Sequence, residues 1–488
     1  MSQTKPVNLT KHYINVAIIL FFFFGFGHLP AIGSITQTGM EVLGVFIGMI
    51  WGWMFVDMLW PSLLGLVVLG MSSFADKGVL GVFQGAVSNK NVILVFLFFV
   101  FSQYMESSGL SNTIAIKMMT IKAVQGRPWV LVLMVFLATY VLGVFIMTYA
   151  VIFLMWTIIY DMCKIAGYDK QDRIAAFMLV GVVQIAGLSG LILPYQVFPN
   201  VCLNALTTAT GLTVATGPFI IYNFVVTMIG TLAYYAVGRY ILKIDVDRFS
   251  ALKREDILGE RGMHFGLSEK IACGILVVFL ICILVPGFLP AENALKAVYT
   301  RMSDQGLLAL VLCFLGIVVF KTGKLSKVPQ LIKDGVNWNL MFLLMATFTV
   351  GDALQSDKTG VMEQITASLT PVFQGMSLLV FLIVAFLLLG IITQFVHNLV
   401  LAVVFIPLLC NIAISSGMGD AAAILITLGI LLVLMQSLCT PAASNRGALI
   451  FGNDWIGEKY AFRYGTLAVV VADLGLIIVG IPLGFLMF

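Results

Sequence analysis

Long apolar runs with few charges recur along this chain, and they restrict it to folds that lipid can solvate. Hydrophobic residues make up 60% of the 488 positions and charged residues only 10%, with a mean hydropathy of +1.06. A soluble domain carries about 25% charged residues, so this chain has too few charged residues for a soluble domain. A lipid-solvated backbone must satisfy its own hydrogen bonds, and runs of about 20 apolar residues do so as helices. The sequence therefore predicts an all-α polytopic membrane protein.

We predict about 11 transmembrane helices and two re-entrant hairpins. The apolar passes lie near 13–33, 38–55, 58–72, 92–108, 175–212, 216–240, 270–289, 305–321, 337–353, 420–453 and 464–486. The stretches 129–163 and 373–415 are interpreted as the hairpins, the first as two half-depth helices with a tip near 143–149. The alternative for the first is one long tilted span, and the second is long enough for two thin spans.

The basic residues orient the chain. With the N-terminus inside, 21 of the 27 Lys and Arg residues fall on inside segments. Five fall outside and one, Arg446, lies within the membrane. Lys and Arg are enriched on the cytoplasmic side of membrane proteins. We therefore expect a multi-pass protein of the inner (plasma) membrane with a cytoplasmic N-terminus and an extracytoplasmic C-terminus.

The two halves of the chain repeat one order of elements. In each half a hairpin precedes a span that is broken by Pro and Asn, around 194–200 and 440–447, and a final span follows. The first hairpin opens from inside and the second from outside, so the repeats are inverted. Inverted repeats with discontinuous helices are typical of secondary transporters. A simple proline kink is the alternative for each break.

These elements resemble the divalent anion/sodium symporter (DASS) family, within the ion-transporter superfamily that includes arsenite and citrate carriers. The resemblance covers the chain from about residue 38 to the C-terminus. The tips 145–150 and 393–399 stand where the family has Ser-Asn-Thr, and of those tip residues only Asn398 is unchanged. The first break retains Pro199-Asn200, and the second has Asn445-Arg446-Gly447 in place of Pro-Pro-Asn.

The resemblance implies a homodimer that works as an elevator. The implied scaffold parts are 13–127 and 270–371, the implied transport parts are 128–245 and 372–488, and a cytoplasmic connector covers 246–269. In the family, the tip Asn and Thr contact substrate carboxylates, while tips and breaks build two sodium sites. The implied partners are a small anionic substrate, the lipid bilayer and a second copy of the chain, without nucleic acid.

Polar residues at the tips and breaks are the candidate substrate-binding residues. They are Thr148, Tyr149, Asn200, His397, Asn398, Thr440, Ser444, Asn445 and Arg446. Polar groups at this depth must be hydrogen-bonded to protein or in contact with water. Their alternative role is to cap the broken helices. His397 titrates near neutrality and could bind the anion or carry a proton. A neutral histidine bonded to backbone is its alternative.

Arg446 is the most informative of these residues, because a guanidinium in the membrane is functional by default. Its fork of donors suits a carboxylate, a sulfonate or a similar anion. We hypothesise that its fixed charge replaces a bound sodium ion at the second break. The alternatives are a structural pair with Asp420 or Asp454, or a helix placed so that Arg446 reaches an interface.

No nucleotide loop, metal constellation or nucleophile–base pair is visible in the sequence, so we do not expect an enzyme. No cofactor is expected, and sodium is left open as a coupling ion. Carboxylates are nearly absent from the presumed translocation region, which argues against proton antiport built on intramembrane Asp or Glu. The favoured function is secondary transport of a di- or tricarboxylate with sodium-independent coupling. The alternatives are a standard sodium–dicarboxylate symporter and an anion channel.

Overall fold

The computed structural model describes residues 9–252, 266–288, 293–317, 319–320, 323–324, 327–373, 375–396, 398–441 and 444–488. Within these ranges the protein is helical, apart from its loops and one antiparallel pair of two-residue strands, Val319–Phe320 and Gly323–Lys324. The predicted all-α class is confirmed.

The α-helices in the described ranges are α1 Leu9–Leu20, α2 Gln37–Phe55, α3 Leu59–Met71, α4 Gly78–Ser88, α5 Lys90–Ser107, α6 Leu110–Met119, α7 Pro128–Phe145, α8 Thr148–Ile165, α9 Arg173–Ser189, α10 Val197–Thr210, α11 Thr216–Ala236, α12 Leu267–Phe288, α13 Ala294–Ile317, α14 Val328–Gly335, α15 Trp338–Leu354, α16 Val361–Phe373, α17 Leu378–Ile392, α18 Asn398–Ser415, α19 Asp420–Leu434, α20 Asn445–Phe451, α21 Glu458–Gly475 and α22 Ile481–Met487. Single π-helical turns extend three of them, at Phe21–Gly25, Val237–Ile241 and Leu476–Gly480. Short 3-10 turns lie at Phe26–His28, Lys122–Val124 and Asp247–Ala251.

The helices of membrane-spanning length confirm a multi-pass membrane protein. In the described part of the chain, 8 helices are long and apolar enough to cross a bilayer, or 9 if α4 and α5, bent by 50°, count as one span. Five of these eight helices and the α4–α5 pair belong to the 11 predicted passes, whereas α7, α8 and α18 are arms of the predicted hairpins. The other predicted passes correspond to α12 and to α3, α9, α15 and α19, which are apolar but only 13–17 residues long. A helix shorter than the bilayer is tolerated where protein rather than lipid surrounds it.

Several helix boundaries differ from the predicted passes. The range of α13 is interrupted at Ser303, whose φ of 58° and ψ of 172° are not helical, so its apolar part begins close to the predicted 305 and the helix before the kink was not predicted. Helix α21 begins at Glu458 rather than 464. An apolar run marks only the part of a helix that lipid covers, so polar first turns are not included in the predicted passes. Of the predicted connector, residues 247–251 form the 3-10 turn, and most of the remainder lies outside the described residues.

The first predicted hairpin is formed by α7 and α8, which are joined at Ile146 and Met147. Each arm has 18 residues, about 27 Å, which is longer than the half-depth helices that the sequence predicts. The tip lies inside the protein, because the backbone N–H of Met147 donates to Ser102 Oγ in the interior of α5 at 3.0 Å.

The second hairpin repeats this arrangement with α17 and α18. The arms of the first hairpin pack on α9, and those of the second pack on α19. As a result 16 of the 17 residues of α9 and 12 of the 15 of α19 are buried. Each half thus contains a protein-encased helix that stops inside the molecule, at Ser189 and at Leu434.

Both encased helices are interrupted rather than merely kinked. Between Ser189 and the start of α10 at Val197 the chain forms turns around Pro194. The second break runs from Met435 to Ser444, where α20 follows. Gly447 allows that turn to close tightly, because a Cβ atom there would overlap the carbonyl oxygen of Thr440.

Gln394 joins the second hairpin tip to the second break. Its Nε2 donates to the carbonyls of Gly390 at 3.0 Å and Gln436 at 2.9 Å, and its Oε1 accepts the N–H of Cys439 at 2.9 Å. The hydroxyl of Thr440 donates to the Gln394 carbonyl. One buried amide side chain therefore fixes the tip against the break.

We expect Gln394→Leu to destabilise the protein by about 2–4 kcal/mol, because it leaves buried backbone groups without partners. Thermal unfolding of the purified protein should show a lower Tm. The matched control is Gln330→Leu, which removes only exposed hydrogen bonds to Asp334 and should leave the Tm close to that of the wild type. Equal Tm values for Gln394→Leu and Gln330→Leu would contradict the proposed role of Gln394.

Candidate functional site

A cavity of about 330 Å³ lies where both hairpin tips meet both helix breaks. This volume falls in the range of small-molecule sites, about 300–1,000 Å³. Its lining comprises Met58, Phe99, Met147, Thr148, Tyr149, Gly190, Gln196, Val197, Phe198, Pro199, Asn337, Asn339, Leu340, Asn398, Leu399, Met435, Ser444, Asn445 and Arg446. The four elements that the sequence singles out therefore converge on one space.

Six of the nine predicted substrate-binding residues line this cavity: Thr148, Tyr149, Asn398, Ser444, Asn445 and Arg446. The other three do not. Asn200 is buried behind the wall, in the first turn of α10. Thr440 points its hydroxyl to Gln394 and holds the tip instead. His397 lies outside the described residues.

The capping alternative applies to Ser444 in particular. Its hydroxyl accepts the N–H of Gly447 at 3.1 Å and donates to the carbonyl of Ser437 at 2.6 Å, so it is the N-cap of α20. Asn398 Oδ1 accepts the N–H of the next residue, Leu399, at 3.0 Å. Tyr149 is 38% exposed. Of these residues, Ser444 already has its hydroxyl bonded to the protein on both sides.

Three of the helices that begin among the residues lining the cavity have a first turn without acidic residues and a start at a hairpin tip or at the first break. They are α8 from Thr148, α10 from Val197 and α18 from Asn398. The N-caps of α8 and α10, Met147 and Gln196, make no side-chain capping bond, and none of the three helices has an acidic residue in its first turn. Free N–H groups and the positive end of the helix dipole favour a negative ligand.

Arg446 supplies a full positive charge to the same cavity. Its side chain is 4% exposed, and its Nη2 donates to the carbonyl of Met435 at the end of α19. Its Nη1 is buried without a hydrogen-bond partner among the residues that the structure describes. A buried guanidinium is costly unless paired, so this free donor predicts an anionic ligand.

The alternative of a structural ion pair for Arg446 does not hold in the described part of the chain. The ion pairs there are Lys164–Asp161, Lys170–Asp454 and Lys358–Asp76, all with exposed side chains. Asp454, one of the two candidate partners, is thus joined to Lys170 at 3.6 Å. Asp420 begins α19, at the opposite end of that helix from Met435.

Gly187 is a residue of this site that the sequence analysis missed. It lies in the last turn of α9, and a Cβ atom there would overlap Nη1 of Arg446. The guanidinium is therefore held between the ends of α9 and α19, the encased helices of the two halves. No local sequence signal identifies Gly187, because Arg446 is far away along the chain.

The wall opposite the hairpin tips was also missed. It includes Asn337 and Asn339, which flank the start of α15, and Met58 before α3. Asn337 Oδ1 accepts the N–H of Leu340 at 3.2 Å as the N-cap of α15. The two asparagines before an apolar run are the only available signal, and a helix cap explains it equally well.

The site combines one fixed positive charge, open helix N-termini and neutral amides and hydroxyls. In the described ranges no group of three or more His, Cys, Asp or Glu side chains could hold a metal ion. The arrangement is suited to reversible binding of an anion with more than one negative group.

Comparison with known proteins agrees with this geometry. The family model described as CitMHS: Citrate transporter matches residues 45–431, which include both hairpins and the first break but not Arg446. A search of curated proteins gave no match. Among solved structures, the crystal structure of the Alcanivorax borkumensis YdaH transporter, reported to have an unusual topology, is similar with a TM-score of 0.54 and 13% sequence identity. The similarity covers 92% of this chain and 98% of that one. At this identity it shows the fold. The resemblance to the ion-transporter superfamily is confirmed, and the matching family within it is that of citrate transporters.

Proposed function

This chain belongs to the CitMHS citrate transporter family, and we propose that it is a secondary transporter of a di- or tricarboxylate such as citrate. The observation that carries the proposal is the buried Arg446 guanidinium, which lines a cavity of about 330 Å³ and whose Nη1 has no hydrogen-bond partner among the described residues. An unpaired buried cation needs an anion, and a planar fork of donors matches a carboxylate.

The substrate carboxylates would divide between two kinds of donor. Arg446 binds one of them through its guanidinium. A second lies at the N-termini of α8 and α10, whose N-cap residues make no side-chain capping bond. Thr148, Asn398 and Asn445 supply neutral hydrogen bonds to the rest of the molecule. Tyr149 limits the width of the cavity.

The alternating-access step is proposed as an elevator movement in a homodimer. Its support is the packing: each encased helix, α9 or α19, is wrapped by its own hairpin, and Gln394 fixes the second hairpin to its break. Such a unit can move as one body against the rest of the chain. The orientation that we propose follows the basic residues, with the N-terminus cytoplasmic.

Sodium-independent coupling is the next part of the proposal. In this proposal the fixed guanidinium at the second break replaces the cation that the resemblance to sodium symporters implies there. We expect uptake by the wild type to be unchanged when potassium or choline replaces sodium. Wild-type uptake that requires sodium would contradict this idea and favour a standard sodium symporter. Retained activity of Arg446→Ala with unchanged dependence on sodium would contradict the role of Arg446 in it.

A substrate panel in proteoliposomes tests the proposed function. Uptake of labelled di- and tricarboxylates, sulfate and sulfonates would be measured with and without sodium and a pH gradient. We expect carboxylates to be accumulated and to compete with one another. A protein that accumulates only sulfate or sulfonates, or none of the panel, would contradict the proposal.

A further inference from the structure

Asp473 is a carboxylate in the middle of the last membrane span. Helices α21 and α22 and the π-turn between them form one run, Glu458–Met487, of 30 residues. Asp473 is the sixteenth residue of that run, so more than two helical turns of apolar chain follow it on the C-terminal side. Ionisable residues at such depth are rare and mark ion pathways or coupling sites.

The carboxylate lies against the second hairpin. Its Oδ2 is 3.3 Å from the position that a Cβ atom would take at Gly390, and a methyl group of Val433 is 3.5 Å from the same position. Gly390 is four residues before Gln394, whose amide binds the Gly390 carbonyl. Asp473 therefore lies against the second hairpin, close to the point where Gln394 joins the hairpin tip to the second break.

No cation neutralises this carboxylate in the described part of the chain. The ion pairs formed there are Lys164–Asp161, Lys170–Asp454 and Lys358–Asp76, and none of them includes Asp473. The thiol of Cys439, in the second break, is the titratable group there that interacts electrostatically with it. Cys439 cannot supply a positive charge.

The charged and titratable groups on the helices packed against α21 face elsewhere. Arg446 of α20 is turned to Met435 and Gly187. On α11, the hydroxyl of Tyr222 lies near Gly480, seven residues beyond Asp473. Tyr234 of α11 stacks on Phe177 of α9 and donates to its carbonyl. Asp420 and Arg173 are the first residues of α19 and α9, at the ends away from the breaks.

We propose that Asp473 is the binding site of a proton that travels with the substrate. An ionised carboxylate among Gly390 and Val433 is costly, and a bound proton removes that cost. These neighbours offer no set of oxygen ligands for a metal cation. The carboxylate takes the proton from water on one side of the membrane and returns it to water on the other, without any other bond changing.

The charge of the moving unit explains why the proton and the substrate would move together. This inference rests on the proposed function, in which a di- or tricarboxylate binds beside Arg446. With Asp473 ionised, substrate binding would leave the unit with an excess of negative charge in a medium of low dielectric constant. Protonation removes one negative charge and makes the crossing more favourable.

The experiment uses full-length protein in proteoliposomes that contain a pH-sensitive dye. Citrate-driven proton movement is measured together with exchange of labelled citrate in the absence of any gradient. For Asp473→Asn, which mimics the protonated state, we expect exchange to continue and citrate-driven proton movement to be lost. Asp473→Glu should restore proton movement. The matched control is Asp76→Asn, an exposed carboxylate paired with Lys358, which should behave like the wild type.

The two proposals fail in different ways. If the wild type exchanges no carboxylate, the proposed function is wrong. If the wild type exchanges citrate but Asp473→Asn still moves protons with it at the wild-type ratio, the assignment of Asp473 is wrong. Equal loss of exchange and proton movement in both Asp473 variants would also overturn it, because the residue would then serve the fold or substrate binding.

Discussion

Arg446→Gln is expected to abolish high-affinity substrate binding while the protein remains folded. Removing one partner of a buried charged contact costs about 2–5 kcal/mol, which is roughly a 30-fold to several thousand-fold rise in Kd. Without ligand the guanidinium is buried and its Nη1 has no hydrogen-bond partner in the described part of the chain, so its removal should leave the Tm unchanged or higher. Titration calorimetry of the purified protein with citrate measures the affinity.

Two variants delimit this prediction. Arg446→Lys keeps the charge but loses the planar fork, and we expect it to bind more weakly than the wild type but better than Arg446→Gln. Arg463→Gln removes an exposed arginine from α21 and is the matched control. Wild-type affinity in Arg446→Gln would contradict the placement of a substrate carboxylate at this guanidinium.

Gly187→Ala is expected to weaken substrate binding because it displaces the Arg446 guanidinium while Arg446 itself is unchanged. The new Cβ atom would occupy the position of Nη1, which is the end of a flexible side chain and can swing away. Helical stability should not suffer, because Ala is a better helix former than Gly. Losing a hydrogen bond to a charged group costs about 1.5–3 kcal/mol, or more than tenfold in Kd.

The double variant identifies the cause. If Gly187→Ala acts through Arg446, then adding it to Arg446→Gln should cause little further loss of affinity, since residues in contact are not additive. Gly217→Ala is the control, because nothing lies within 4 Å of its added Cβ atom. Independent, additive losses from Gly187→Ala and Arg446→Gln would contradict the contact between them.

Much of the architecture could be predicted from the sequence because lipid imposes strict local rules. Apolar runs mark the spans, and Pro194, Pro199 and Pro441 lie in or beside the interruptions of the two encased helices. Arg446 was identifiable for a similar reason, since an isolated arginine in an apolar region has few structural roles. Six of the predicted binding residues meet at one cavity because both tips and the second break carry them there.

The remaining features depend on contacts between distant parts of the chain. Gly187 faces Arg446, and Gln394 binds the second break across some 45 residues, so neither role is visible in a local pattern. Asn337 and Asn339 reach the cavity only through the packing of α15. Asp473 was overlooked for a related reason: the sequence indicated few intramembrane carboxylates and did not place this one against the second hairpin.

Counterflow of labelled citrate tests the central claim most directly. Proteoliposomes loaded with unlabelled citrate would be diluted into a trace of labelled citrate, with no ion gradient. A carrier with a binding site at Arg446 should accumulate the label transiently above equilibrium in the wild type, and Arg446→Gln should not do so. If the wild type lets the label only equilibrate, as a channel would, or if Arg446→Gln shows the same overshoot as the wild type, the account is contradicted.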